Sequence, residues 1–254
     1  MTAGRPTLTA VRRRLRELGD RHDAEFLQRF FRTAPGEYGA GDKFLGIRVP
    51  ITRKIAREFR GLSLDDAITL LHDPWHEARL LSLIMLVDAY ERGTADERET
   101  IFRAYVKHAS RVNNWDLVDS SAPQIVGAHL ATRRRGLLDR LARSKSLWER
   151  RIAIVATHHF IRNGEFGDTI RIAKRLLTDE HDLIHKAVGW MLREVGKRDI
   201  RPLEVFLEEH AHEMPRTMLR YAIERMTPAR RKHFMAAASS RVSKEREASS
   251  FARR

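Results

Sequence analysis

The sequence contains no cysteine, which excludes disulfides, thiolate metal sites and cysteine nucleophiles. Such a chain suits a reducing compartment, and a cytoplasmic location is expected. No apolar run approaches the roughly 20 residues of a membrane-spanning helix. The first ten residues lack the apolar core of a secretory signal, so no membrane association is expected. The P-loop, the G-x-G-x-x-G turn and the G-x-S-x-G elbow are all missing, so neither a nucleotide cofactor nor any other is expected. His181 and His185 are spaced i, i+4, and His158 and His159 are adjacent. No H-E-x-x-H pattern or third ligand accompanies them, so no metal is expected. No stretch alternates with period two for long enough to suggest a sheet.

What the chain has is length and positive charge. Its 254 residues are 42% apolar, enough for a real core. The net charge is +14, from 48 Lys+Arg against 34 Asp+Glu. Arg12, Arg13, Arg14 and Arg16 form one cluster and Arg133, Arg134 and Arg135 another. This balance favours a polyanionic partner, most often nucleic acid. An Arg-rich composition from a high-GC genome is the competing explanation, and it accounts for the Arg/Lys ratio better than for the net charge.

The pattern predicts helices throughout. Residues 1 to about 7 read as disordered, with Thr9 as a cap for a helix over Ala10 to Leu18. A second helix is expected over Ala24 to Phe31, with Phe26, Leu27, Phe30 and Phe31 on its apolar side. A Gly/Pro-punctuated loop follows, and Pro50 suits the first turn of a helix reaching about Phe59. That helix would show a basic face, with Arg53, Lys54 and Arg57, and an apolar face, with Ile51, Ile55 and Ala56. From Leu64 the helical pattern repeats in pairs. Arg79, Leu117, Arg151, Ala187 and Arg220 mark comparable places in successive second helices, giving a period of about 33 to 38 residues. Such a period indicates stacked helix pairs that share a core and curve into a superhelix. The expected architecture is all-α: a HEAT-like helical-repeat solenoid with a concave basic groove, a single domain over 1–235. A basic tail, 236–254, loses apolar periodicity and reads as disordered.

Within this frame the stretch Asn113 to Gly127, N-N-W-D-L-V-D-S-S-A-P-Q-I-V-G, draws attention. Trp115 and Asp119 are spaced i, i+4 and share one face of a helix. Leu117, Val118, Ala122, Ile125 and Val126 would hold that helix, Asn113 or Asn114 would cap it, and Pro123 should kink or break it. The plain alternative is a buried Trp beside an Asp that favours the helix dipole. Trp75 and Trp148 each stand just before a second helix and read as hydrophobic staples. Trp115 and Trp190 lie two repeats apart and could form an aromatic cleft, or simply fill the inter-repeat core. Arg151 could hold a phosphate near such a cleft. Arg150 is its neighbour, and a turn of about 100° between them allows only one to face it.

Four segments resemble the AlkD-type alkylpurine DNA glycosylases, a family built from HEAT-like repeats. These are F-L-G-I-R-V-P (Phe44 to Pro50), W-D-L-V-D-S-S-A-P (Trp115 to Pro123), L-W-E-R-R-I-A-I (Leu147 to Ile154) and H-K-A-V-G-W-M-L-R-E (His185 to Glu194). They occur in the family's order over about residues 44 to 194. The resemblance implies Asp119 as the catalytic carboxylate, Trp115 and Trp190 flanking the damaged nucleotide's sugar and phosphate, and Arg151 on the DNA backbone. Arg48, Arg53, Lys54, Arg57, Lys186 and Arg193 are further backbone candidates. The chain departs from the family in a longer loop from Arg32 to Lys43, where Phe30, Phe31 and Tyr38 are all candidates for a family aromatic near the lesion. The implied activity is base excision repair by a monofunctional 3-methyladenine/7-methylguanine DNA glycosylase. Its substrate would be double-stranded DNA carrying alkylated purines, and a monomer is expected. The chemistry suits the residues: a cationic alkylpurine is already a good leaving group, so one carboxylate that stabilises the oxocarbenium-like sugar suffices. The rival reading is a non-enzymatic repeat protein that binds branched or distorted DNA, or a protein-binding scaffold.

Overall fold

Polar caps start the helices. Thr7 accepts the Ala10 N–H and opens α1 (Leu8–Glu17), and Asp20 accepts the Asp23 N–H at 2.8 Å and opens α2 (Arg21–Phe30). Pro50 occupies the first turn of α3 (Val49–Glu58), and Ser63 caps α4 (Leu64–Leu71). The cap of α1 is thus Thr7 rather than Thr9: the helix starts two residues earlier than expected, and the Thr7 side chain accepts the Ala10 N–H, while Val11 and Leu15 are its buried residues. The structure is a computed structural model that describes residues 6–236. Of the N-terminal stretch expected to be disordered, 1–5 lie outside the described residues. The basic tail also lies outside them apart from residue 236, which ends a last described helix, 228–236.

Among the described residues the architecture is all-helical. An isolated bridge between Lys43 and Trp75 is the nearest approach to a strand. The chain divides between His129 and Leu130 into two compact units. The first unit continues with α5 (His76–Arg92), α6 (Ala95–Lys107), a 3-10 turn (Ala109–Arg111), α7 (Trp115–Asp119) and a π-helical turn (Pro123–Gly127); the short α8 (Ala128–Leu130) follows. The second comprises α9 (Gly136–Ala142), α10 (Leu147–Ala156), α11 (His158–Arg162), α12 (Gly167–Arg175), α13 (Asp182–Arg198), α14 (Ile200–His210) and α15 (Arg216–Ala222). The landmarks Arg79, Leu117, Arg151, Ala187 and Arg220 fall in α5, α7, α10, α13 and α15, so the period counted the second helices of successive pairs.

Each unit is organised around one 17-residue helix. In the first, α5 packs against α3, α4, α6, α7 and the π turn, and buries residues on most of its circumference. Val11, Leu15, Ile47, Ile55, Leu70, Leu81 and Met85 form the core at its N-terminal end, with Trp75 packed on it. In the second, α13 packs against α10, α11, α12, α14 and α15. The contact between α13 and α15 is close enough that a Cβ on Gly189 would stand 2.4 Å from the Met218 carbonyl oxygen. No described helix is long and apolar enough to cross a membrane.

The second helix departs from its sequence pattern. Phe31, just past its end, is buried, but Phe26 and Phe30 are 41% and 53% exposed, and α2 buries no residue of its own. The apolar stripe there does not meet the core.

Candidate functional site

In the first unit, α7 carries the residues singled out by the sequence. Asn114 is the N-cap, its side-chain oxygen accepting the Trp115 N–H at 2.8 Å. Leu117 and Val118 are fully buried and hold the helix down, leaving Trp115 and Asp119 half-buried one turn apart. The helix stops at Asp119. Turn residues Ser120 and Ser121 follow, and Pro123 opens the π turn, so the proline breaks the helix as expected. The Ser121 hydroxyl donates to the Leu117 carbonyl at 2.6 Å and meets the Tyr105 hydroxyl at 3.0 Å. Burial pushes the Tyr105 hydroxyl's pKa up, the bond to Ser121 works against this, and the nearby negative charge of Asp119 adds to the rise. Tyr105 therefore stays a neutral phenol beneath the Asp119 end of α7.

Trp115 is held from below by aromatic rings. Phe31 stacks on it with centroids 5.3 Å apart and planes 21° apart, and Phe30 meets it edge-on at 6.1 Å. Of the three candidate aromatics in the region, these two reach Trp115. Behind Phe31 stand Phe44 at 5.0 Å and the His76 imidazole at 4.9 Å, and Phe44 and His76 stack at 4.5 Å.

A buried polar network, not singled out by sequence reasoning, lies behind these rings. His76 places Nδ1 2.9 Å from an Asp42 oxygen and Nε2 2.8 Å from an Asp116 oxygen. Arg79 binds the other Asp42 oxygen and donates to the Asn113 side-chain oxygen at 2.8 Å. Burial alone would pull the His76 pKa down. The charge and hydrogen bond of Asp116, then those of Asp42, more than offset this and hold it at about 9. Asp42 in turn is kept below the usual carboxylate range: burial opposes ionisation, but His76, Arg79 and Asn114 outweigh it. Next to His76, the buried Glu77 carboxylate accepts the backbone N–H groups of Leu45, Gly46 and Ile47 at 2.9, 2.8 and 3.1 Å. The sequence-level signal for either arrangement was the run His76-Glu77-Ala78-Arg79, three charged or titratable side chains opening a helix that is mostly apolar over its next two turns.

The basic candidates divide into exposed and engaged side chains. Arg53, Lys54 and Arg57 are exposed along α3. Arg48 is exposed too, but it is tied to Asp23 and lies over the Phe26 ring at 4.9 Å. Two of the clustered arginines, Arg12 and Arg14, pair with Asp73 and Glu58.

In the second unit, Trp190 is half-buried on α13 with the His158 ring 5.9 Å away. On the same helix Lys186 pairs with Asp182 at 2.6 Å, and Arg193 pairs with Glu224. Arg150 and Arg151 point differently, as the helical turn requires. Arg150 binds Asp179 at 2.6 Å and the Ser144 and Lys145 carbonyls, while Arg151 is buried and donates to the Leu183 carbonyl at 2.6 Å. Arg135, from the second basic cluster, is locked between Asp168 and Glu165 at 2.6 and 2.7 Å, with its guanidinium 3.9 Å above the Phe160 ring. Among the described residues the only grouping of acidic and histidine side chains close enough to share a metal ion is Asp20, His22 and Asp23. There Asp20 already caps α2 and Asp23 holds Arg48.

Comparison with known proteins gives the family and the fold. No curated protein matches the sequence. Among solved structures, a predicted DNA alkylation repair enzyme from Enterococcus faecalis shares the fold with a TM-score of 0.63 at 16% identity, over 83% of this chain and 97% of that one. A model of the family described as DNA alkylation repair enzyme matches residues 11–226, which include α7 and every other candidate site residue; the chain belongs to the DNA alkylation repair enzyme family.

Proposed function

We propose that this repair protein is a monofunctional DNA glycosylase that hydrolyses the N-glycosidic bond of N3- and N7-alkylated purines in duplex DNA, with Asp119 as its catalytic carboxylate. The observation that carries the reading is the pairing on α7: a half-buried carboxylate one turn from a half-buried indole, on a helix held down by the buried Leu117 and Val118, whose other carboxylate, Asp116, is taken up by His76.

The chemistry asks little more of the protein. An alkylated purine carries a positive charge and leaves as a neutral base, so no general acid is needed. As the bond stretches, positive charge builds on the sugar, and the Asp119 carboxylate stabilises it and orients the attacking water. Water supplies the hydroxyl to the sugar carbon, and the carboxylate or bulk solvent takes the proton. Trp115, backed by Phe31 and flanked by Phe30, offers an aromatic face to the cationic nucleotide. A lyase activity would need a desolvated lysine amine, and no lysine is among the buried residues described.

DNA is held mainly through charge. Arg53, Lys54 and Arg57 on the exposed face of α3 are proposed to meet phosphates, with Arg48 beside them. In the second unit Trp190, Lys186 and Arg193 on α13 are proposed as that unit's contacts to DNA; Arg151 on α10, buried and donating to the Leu183 carbonyl, is placed for support of α13 rather than for a phosphate.

The test is release of free base from a duplex carrying a single 7-methylguanine. Release by the wild-type protein supports the glycosylase. Salt-sensitive binding without release shifts the assignment to a DNA-structure binder. Weak binding with neither salt dependence nor release shifts it to a protein scaffold.

A further inference from the structure

We propose that His76 is a positioning residue for the α7 site, an imidazolium clamped between Asp42 and Asp116 that fixes the placement of Trp115 and Asp119. What it positions Asp119 to do rests on the glycosylase reading; the clamp itself does not.

The geometry sets the charge. Both ring nitrogens of His76 lie within 2.9 Å of a carboxylate oxygen. An ionised carboxylate only accepts, and a neutral imidazole carries a single N–H, so its second nitrogen would set a lone pair against an oxygen. Only the imidazolium satisfies both contacts. The charges then balance, since Asp42 and Asp116 face His76 and Arg79. These are the charged groups around the ring: Asp42 from the loop after Phe31, Asp116 from α7, and Arg79 on α5 itself, with a guanidinium nitrogen 3.5 Å from Nδ1. The other neighbours packed on the ring, Phe31 and Phe44, carry no charge.

The connection to the site runs through two routes. Asp116 lies between Trp115 and Asp119 on a helix of five residues. Its second oxygen is buried and has no hydrogen-bond partner, so the bond to His76 is what ties this carboxylate to α5. A helix this short has little stability of its own and takes its placement from such ties. The second route is the rings: His76 packs on Phe31, and Phe31 stacks on Trp115. Loss of the proton would set a lone pair against one carboxylate and free the N-terminal end of α7. An error of about 1 Å in placing a catalytic group costs on the order of a hundredfold in rate.

The experiment has a spectroscopic and a kinetic part. Nitrogen-15 NMR of histidine-labelled protein reads the charge of His76 directly. Fluorine-19 NMR of protein labelled with 5-fluorotryptophan, assigned with Trp115→Phe, reads the surroundings of Trp115 over the same pH range. Both His76 nitrogens are expected to be protonated at pH 7, and the Trp115 signal to move with the same alkaline midpoint as His76. Single-turnover base release by the wild type is expected to fall about tenfold or more through that midpoint, with DNA affinity little changed. Folded His76→Gln is expected to be about tenfold to a hundredfold slower at pH 7 and to lack the alkaline fall. If His76→Gln does not fold, Asp116→Asn serves instead: it keeps the shape, lowers the His76 midpoint, and should slow release in the same way. A neutral His76 at pH 7, a Trp115 signal that ignores the His76 titration, or a folded variant with the wild-type rate and pH profile each overturns the clamp. If the wild type releases no base at any pH, the glycosylase reading fails, and the two spectroscopic midpoints still decide the clamp.

Discussion

The Glu77 carboxylate accepts the Gly46 backbone N–H at 2.8 Å, and with it those of Leu45 and Ile47. One buried side chain at the start of α5 thereby satisfies three donors of the segment that leads into α3. The side chain next to it, His76, holds α7. The F-L-G-I-R-V-P segment and the W-D-L-V-D helix are thus anchored to consecutive residues of the first unit's central helix.

Glu77→Ala is therefore expected to destabilise the protein by about 3–5 kcal/mol, because three backbone N–H groups lose their acceptor, two of them fully buried. Urea unfolding of the first unit measures it. A loss under about 1 kcal/mol would show that water replaces the carboxylate.

Gly46 has φ of 85°, and a Cβ there would stand 1.9 Å from the Asp20 carbonyl oxygen. Gly46→Ala is expected to cost at least about 3 kcal/mol or to prevent folding, since both the backbone conformation and the space exclude a side chain. Soluble yield and thermal unfolding read the effect.

Stability should decline in mild alkali. The His76 pKa is raised from 6.5 to about 9 in the folded protein. A raised pKa means that the folded state binds the proton more tightly. The contribution is fully present below about pH 6.5, fades as the pH climbs, and is gone above about 9. A displacement of that size is worth on the order of 3 kcal/mol. Urea unfolding between pH 6 and 10 should show this fall in the wild type and a flatter profile in His76→Gln.

Basic residues should separate by role. Arg135 is held by two carboxylates and an aromatic face, so Arg135→Ala is expected to lower stability by about 2–3 kcal/mol and leave the salt dependence of DNA binding unchanged. Arg53→Ala and Lys54→Ala sit on the exposed face of α3 and should do the reverse, each reducing the slope of log affinity against log salt by about one. Titrations at several salt concentrations distinguish the two classes.

Much of this was legible in the sequence because it is local. The i, i+4 relation of Trp115 and Asp119, the break at Pro123, the start of α3 at Pro50 and the repeat period all follow from spacing along one chain segment. The His76 network was not legible, since its partners lie 34 residues before it and 40 after it and meet only when α5 packs. Nor could composition show that Arg135 is consumed by ion pairs while Arg53 is exposed, because the two look alike as counts of charge. The exposed Phe26 and Phe30 mislead for the opposite reason: their periodicity marks an apolar face, but periodicity does not say whether that face meets the core or solvent.

The absence of lyase chemistry has a direct check. Borohydride added during turnover should trap no covalent protein–DNA adduct. A trapped adduct would assign an amine nucleophile and remove Asp119 from sole charge of the reaction.

The most direct measurement is single-turnover release of 7-methylguanine from duplex DNA by the wild type and by Asp119→Asn. The asparagine keeps the size of the side chain and removes its charge. Asp119→Asn is expected to fold and bind DNA as the wild type does but to release base at least about a hundredfold more slowly. Equal rates from the two proteins would contradict it, and would move the catalytic group away from α7.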